Sequence, residues 1–164
     1  MKHSEVVQKF EGFLRSENLK LTPQRRRILD RVFATRDHFT ADTLYGWLRE
    51  EAGPKVSRAT VYRTLDVLTR AGFVEGLDTG DGGLVYEHVL GQPHHDHLIC
   101  LGCGRIEEFH SDAIEELQLK AAREKGFTLV SHLLRLSGYC GECQAKSPLN
   151  PRPARREAGA DHLA

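Results

Sequence analysis

Apolar residues in the first 70 positions recur every three to four residues, the spacing that puts them on one side of a helix. In Ser4 to Arg15 the stripe is Val6, Val7, Phe10, Phe13 and Leu14, which predicts an amphipathic packing helix. Thr22-Pro23 predicts the start of a second helix: a threonine side chain can accept from the open N–H groups of a first turn, and proline has no N–H to leave unpaired there. Ile28, Leu29, Val32 and Phe33 form its apolar stripe, and Gln24, Arg25, Arg26, Arg27 and Arg31 its other face. A third helix opens at Thr40, buries Ala41, Leu44, Trp47 and Leu48, and ends before Gly53-Pro54. The fourth opens at Ser57, turns Val61, Leu65 and Leu68 inward, leaves Arg58, Tyr62, Arg63, Asp66 and Arg70 outside, and stops at Gly72. Phe73 to Leu77 and Leu84 to Glu87, on either side of Gly80-Asp81-Gly82-Gly83, predict a two-stranded hairpin.

Helices followed by a hairpin, with a polar and basic outer face on the last helix, is the order of a winged helix-turn-helix, the hairpin being the wing. After about residue 92 the pattern changes to strands at His97 to Leu101 and Arg105 to Phe109, a helix from Ser111 to Lys125 ended by Gly126, and a strand from Phe127 to Leu136. The expected fold is α+β, with an N-terminal winged helix-turn-helix domain and a C-terminal α/β domain. The boundaries fall at 1–88 for the winged helix, 89–93 for a hinge and 94–146 for the second domain. Ser147 to Ala164, rich in proline and alanine without apolar periodicity, reads as a disordered tail.

The chain's 164 residues, 40% of them apolar, suffice for one medium domain or two small ones. No stretch approaches the roughly 18 apolar residues of a membrane span, and Met1 to Leu19 lacks the uninterrupted apolar core of a signal peptide, so no membrane partner and a cytoplasmic location are expected. The formal net charge of zero hides an asymmetry. Residues 1–70 hold 14 Lys+Arg against 9 Asp+Glu, whereas residues 71–150 hold 6 against 12. A basic half suits a polyanion, and an acidic half rich in histidine suits metal cations.

The four cysteines form two C-x-x-C pairs, Cys100 with Cys103 and Cys140 with Cys143. Without a secretion signal that spacing argues for metal over disulfides. Two such knuckles, with Gly102, Gly104 and Gly141 supplying backbone freedom, close a tetrahedral all-cysteine zinc site. A closed site has no vacant position, so its expected role is structural. A redox-active dithiol pair and unrelated buried thiols are the competing readings, and oxidation could open the site as a secondary switch.

His94-His95-Asp96-His97 leads into a strand, where successive side chains point to opposite faces. His95 and His97 would face one way, His94 and Asp96 the other, so one segment could serve two metal sites. Mixed imidazole and carboxylate donors suit Fe(II), Mn(II) or Zn(II). Candidate partners nearby in sequence are Glu87, Glu108, Glu115 and His132, against the alternative of a solvated histidine-rich loop. His38, alone between the second and third helices, would more often be a structural residue.

Taken together, the helix Ser57-Arg58-Ala59-Thr60-Val61-Tyr62-Arg63-Thr64-Leu65, the run His94-His95-Asp96-His97-Leu98-Ile99-Cys100 and the two C-x-x-C pairs closely resemble the ferric uptake regulator family, from about Leu19 to Cys143. The resemblance implies a homodimer, with tetramers as a further option, that represses transcription by binding an A·T-rich palindrome in double-stranded DNA when a regulatory divalent ion is bound. It implies a regulatory site of His38, Glu87, His95, His97 and Glu108, with His38 linking the DNA-binding domain to the sensor. It implies a second site of His94, Asp96, Glu115 and His132, and structural zinc on the cysteines. The segment between Glu87 and the histidine run is one residue longer than in several family members. Glutamates at 87 and 108, where the peroxide-sensing branch typically has aspartates, resemble the iron-responsive branch, so Fe(II) is the expected regulatory ion and Mn(II) or Zn(II) the alternatives, with a zinc- or peroxide-responsive regulator on the same scaffold as the alternative function. On the fourth helix, Arg58, Thr60, Tyr62 and Arg63 would face the major groove, Tyr62 touching thymine methyls. Lys20 and Arg25 resemble the family's backbone and minor-groove contacts.

Two other function classes compete. A metal hydrolase would also cluster His and Asp, but the chain has no H-E-x-x-H helix, no G-x-S-x-G elbow and no phosphate-binding glycine loop, so no enzyme is expected. A metal-storage protein or metallochaperone would not need the basic recognition face.

Overall fold

The computed structural model describes residues 2–79 and 83–146. The expected turn residues Gly80 to Gly82 and the expected tail from Ser147 lie outside the described residues. The element order is α1 (His3–Ser16), α2 (Pro23–Ala34), β1 (Phe39–Thr40), α3 (Ala41–Glu50), α4 (Arg58–Arg70), β2 (Val74–Asp78), β3 (Leu84–His88), β4 (Asp96–Cys100), β5 (Ile106–Phe109), α5 (Asp112–Glu124), β6 (Arg135–Gly138) and α6 (Gly141–Lys146).

Local chemistry sets the starts of the first-half helices. Thr22, Thr40 and Ser57 each accept a backbone N–H from the residue three positions on, at 3.3, 3.0 and 3.2 Å, and Pro23 occupies the first turn of α2. The apolar stripes then meet in one core: Phe10 and Leu14 of α1, Ile28, Leu29 and Val32 of α2, Leu44 of α3, and Val61, Leu65 and Leu68 of α4 are all fully enclosed. Burial of each such side chain contributes about 1.5–3 kcal/mol.

Arginines expected on the free face of α2 serve this packing instead. Arg27 donates to the carbonyls of Leu48, Glu51 and Pro54, each at 2.6 Å, and so caps the end of α3 and the loop before α4. The Arg31 guanidinium lies 4.1 Å over the Trp47 ring and its Nε is 2.9 Å from Glu51. These contacts fix the helix-turn-helix geometry by tying α2 to the end of α3 and to the loop before α4.

Two three-stranded sheets follow, ordered β1-β3-β2 and β5-β4-β6. The wing hairpin β2–β3 gains a two-residue third strand from β1, in register Phe39↔Tyr86 and Thr40↔Val85. β1 is too short to show any period in the sequence. The second sheet is mixed: β4 pairs antiparallel with β5 and parallel with β6.

The expected strand from Phe127 to Leu136 is shorter and later than its pattern suggests. Only Arg135–Gly138 is a strand, because only there does the chain run beside β4. Val130, at 94% exposed, and Phe127, at 72%, have no neighbouring strand to pair with among the described residues. Helix α5 is also unusual, with an amphipathic sequence and no buried residue. Among the described residues no helix is long and apolar enough to cross a membrane.

Candidate metal centres and nucleic-acid interface

Strand register assembles the first cluster. His97 on β4 stands opposite Glu108 on β5, and Glu87 on β3 extends the β1 ladder so that it comes beside His38, one residue before β1. One ligand atom from each of His38, Glu87, His97 and Glu108 lies within 4.8 Å of the others. His97 Nε2 is 2.8 Å from Glu87 Oε1, and His38 Nε2 is 3.6 Å from Glu87 and 3.8 Å from Glu108. His95 stands at the edge of this group, with Nε2 2.9 Å from Glu87 Oε2. The longer segment between Glu87 and the histidine run does not keep that carboxylate out of the cluster.

The second cluster lies on the other side of β4. Asp96, wholly buried, and His94 meet Glu115 of α5 and His132, again with donor atoms within 4.8 Å of one another. His94 Nε2 is 3.2 Å from Asp96 and 3.4 Å from Glu115, and His132 Nε2 is 3.0 Å from Glu115. His132 precedes β6 and does not sit on the strand expected to carry it.

Both clusters fit a cation. His38 Nε2, Glu87 Oε1, His97 Nε2 and Asp96 Oδ2 are buried with no hydrogen-bond partner among the described residues. The close approach of His97 to Glu87 is therefore not aligned as a hydrogen bond. A buried polar atom left unpaired costs about 1–3 kcal/mol, so four such atoms in two donor clusters are best satisfied by an ion that accepts their lone pairs.

Protonation states point the same way. Burial is the main influence on His38 and lowers its pKa, despite Glu87 and Glu108 beside it. Burial alone would raise the Glu87 carboxyl, but His97 and His95 outweigh it and hold the group below its ordinary value. Near neutral pH, His38 is thus an unprotonated imidazole and Glu87 an anion, the forms a metal requires. His95 goes the other way: burial opposes its proton, but Glu87 and the Pro93 carbonyl hold it, raising the pKa.

The cysteines make a third cluster, with all four sulfurs within 4.8 Å of one another. Cys140 N–H donates to Cys100 Sγ at 3.2 Å, and Cys103 and Cys140 sulfurs are 3.8 Å apart. Backbone N–H donors, that of Cys140 first, lower the Cys100 thiol to about 6, whereas the neighbouring cysteines Cys140, Cys100 and Cys103 push Cys143 up to about 12. One glycine of the knuckles is required by close approach, since a Cβ on Gly102 would sit 2.9 Å from Cys143 Sγ; Gly104 is required by its φ of +73°. Gly141 has open space around it and no such requirement.

The face expected to meet nucleic acid is built on α4. Tyr62 is 51% exposed and Arg63 is exposed. Arg63 and Thr60 share a polar cleft between the starts of α2 and α4 with Arg25 and Lys55, a lysine the sequence did not single out. Arg25 donates to the Lys20 carbonyl at 2.7 Å, which sets the approach of exposed Lys20. Thr60 Oγ1 is 2.9 Å from Ser57 Oγ, inside the helix cap. Arg58 binds Asp42 of α3 at 2.6 Å and lies 5.0 Å over Tyr45, so it is engaged within the fold.

Residues 16–137 match the model of the ferric uptake regulator family. The chain is 40% identical over 139 residues to the ferric uptake regulation protein of Campylobacter jejuni, covering 84% of this chain and 88% of that one. Its structure resembles that of the Helicobacter pylori ferric uptake regulator, which is described as having three functional metal-binding sites, with a TM-score of 0.75 and 28% identity over 88% of this chain and 95% of that one. A zinc uptake regulator complexed with zinc and DNA superposes with a TM-score of 0.53 and 29% identity, covering 89% and 97% of the two chains.

Proposed function

The chain belongs to the ferric uptake regulator family, and from that premise we propose that it is a metal-dependent transcriptional repressor of metal-uptake genes, which as a homodimer binds an A·T-rich palindromic operator when a regulatory divalent ion, Fe(II) foremost, is held by His38, Glu87, His97 and Glu108, with His95 at the edge. The observation that carries the reading is the division of these donors: Glu87 belongs to the sheet that includes the wing and His38 directly precedes its strand β1, whereas His97 and Glu108 belong to the other sheet.

When bound, the ion supplies positive charge that satisfies donors from both sheets at once and so favours one arrangement of residues 1–88 relative to residues 94–146 across a hinge at 89–93. Ligand linkage makes this a switch only as far as the ion binds the DNA-competent arrangement more tightly, with typical couplings of about 1–3 kcal/mol. Tyr62 and Arg63 then read the major groove, while Arg25, Lys20 and Lys55 hold the backbone. His94, Asp96, Glu115 and His132 form the second site, and the cysteines hold structural zinc.

A second copy supplies what the lone chain lacks. Leu117 of α5, Phe127, Val130 and Leu133 of the segment before β6, and Leu136 of β6 are exposed, and α5 buries no residue. Such apolar surface is stabilised by association, and the unpaired segment 127–134 has the length and composition to pair as a strand.

The test is fluorescence anisotropy of an A·T-rich palindromic duplex at fixed salt, with zinc-loaded protein titrated anaerobically with Fe(II), Mn(II) or Zn(II) and a scrambled duplex as control. Tightening of at least about tenfold with Fe(II) or Mn(II) supports the iron-type repressor. Tightening with Zn(II) alone makes it a zinc regulator, and indifference to every metal overturns the switch.

A further inference from the structure

Glu75 belongs to none of the clusters above, yet register puts it beside one of them and a shared groove beside another. In the β2–β3 ladder Glu75 stands directly opposite Glu87. Directly paired residues project from the same face of an antiparallel pair, with Cβ atoms about 4.5–5.5 Å apart, and like charges there are destabilising. Glu75 is half-buried and lines a groove with His94, His95 and His132. Glu87 has a hydrogen-bonding partner in His95 at 2.9 Å, and His97 and His38 lie 2.8 and 3.6 Å from its oxygens. Among the described residues Glu75 has no hydrogen bond or ion pair with a basic group, and burial followed by the charge of Glu87 raises its carboxyl pKa against the opposing influence of His97, His95 and His94.

We infer that Glu75 is an affinity-setting residue for the divalent ion of the Glu87 cluster: without ligating the ion, its charge destabilises the metal-free protein and is relieved when a dication occupies the cluster. The inference rests on the metal-site reading of that cluster. It predicts opposite signs for two quantities that a packing role would move together. Removing the charge without changing the shape relieves the repulsion in the metal-free state and removes an attraction from the metal-bound state.

The experiment compares the full-length zinc-loaded protein with Glu75→Gln and Glu75→Asp, each in a Glu115→Gln background that takes a donor from the second cluster. Mn(II) affinity is read by calorimetry at neutral pH, and thermal midpoint by circular dichroism without Mn(II). For Glu75→Gln the expected result is about three- to tenfold weaker Mn(II) binding together with a midpoint raised by about 2 °C or more, while Glu75→Asp, which keeps the charge, stays close to the parent in affinity. Unchanged affinity in Glu75→Gln overturns the inference alone. Loss of a bound Mn(II) equivalent overturns it by making Glu75 a ligand. Failure of the parent protein to bind Mn(II) overturns the metal-site reading, and the inference with it.

Discussion

His97 faces Glu108 directly across the β4–β5 ladder, and its Nε2 reaches 2.8 Å from Glu87, a residue of the other sheet. His97 is 0% exposed, so its imidazole is fixed by packing before any ligand arrives. His38 is different, since it precedes a two-residue strand and meets the cluster only through Glu87 and Glu108, at 3.6 and 3.8 Å.

That difference separates binding from switching. His38→Ala should weaken regulatory-metal binding at least about tenfold, as loss of a donor does, and should reduce the metal-induced gain in operator affinity by more than its loss of metal binding explains. Saturating metal in the anisotropy assay isolates the second effect. Full recovery of operator affinity at saturation would show that His38 contributes affinity but no linkage.

Zinc loading should be strongly pH-dependent. Cys143, pushed up to about 12, carries its proton at neutral pH in the zinc-free protein, and that proton must leave when the thiolate binds. Cys100, lowered to about 6, has already lost most of its own there. The sign follows: protons compete with zinc, so apparent affinity falls as pH falls, by at least about tenfold per unit between pH 8 and 7 for one proton released. Competition with a chelator across that range measures it, and a flat profile would exclude the four-thiolate site. Zinc removal should also lower the thermal midpoint.

How far the sequence showed this architecture depends on how local each cause is. Helices α1 to α4 and the wing follow from periodicity, helped in α2 to α4 by caps, because threonine, serine and proline act within one turn. The division of His94 and Asp96 from His97 followed from the two-residue period of a strand. What escaped was set by distant partners. The strand expected from Phe127 shrank to Arg135–Gly138 because pairing needs a neighbour, which only β4 provides. Arg27 looked like a free cation until the α3 carbonyls came within reach. Glu75 could be seen only once β2 and β3 were in register, although the spacing of the hairpin carried that signal.

Salt dependence distinguishes the arginines. Each phosphate contact contributes about −0.9 to the slope of log affinity against log salt. Arg63→Ala and Lys55→Ala should each reduce the slope's magnitude by about that amount, since both line the exposed cleft at the starts of α2 and α4. Arg27→Ala should leave the slope unchanged but lower stability to denaturant by about 1–3 kcal/mol, because three carbonyls lose a charged donor. A reduced slope for Arg27→Ala, with stability intact, would mean that the residue touches DNA after all.

Arg135 supplies a second tie between the sheets, made without metal. It pairs in register with His97 on β4, and its Nη1 donates to the Asp78 carbonyl at the end of β2 at 2.6 Å. The bond lies between the wing and the sheet that carries His97 and Glu108, so it favours the same arrangement that a shared ion on His38, Glu87, His97 and Glu108 would require. An exposed charge-assisted bond contributes about 0.5–1.5 kcal/mol, and Arg135→Ala should therefore weaken operator binding about two- to tenfold. Linkage demands more than that loss. If the arrangement is shared, metal affinity must fall with it, although Arg135 touches no donor atom of the cluster. Calorimetry with Mn(II) decides the point: a drop in operator affinity with unchanged metal affinity would mean that Arg135 acts on DNA directly, and the arrangement that binds metal would then not be the one held by the Asp78 carbonyl.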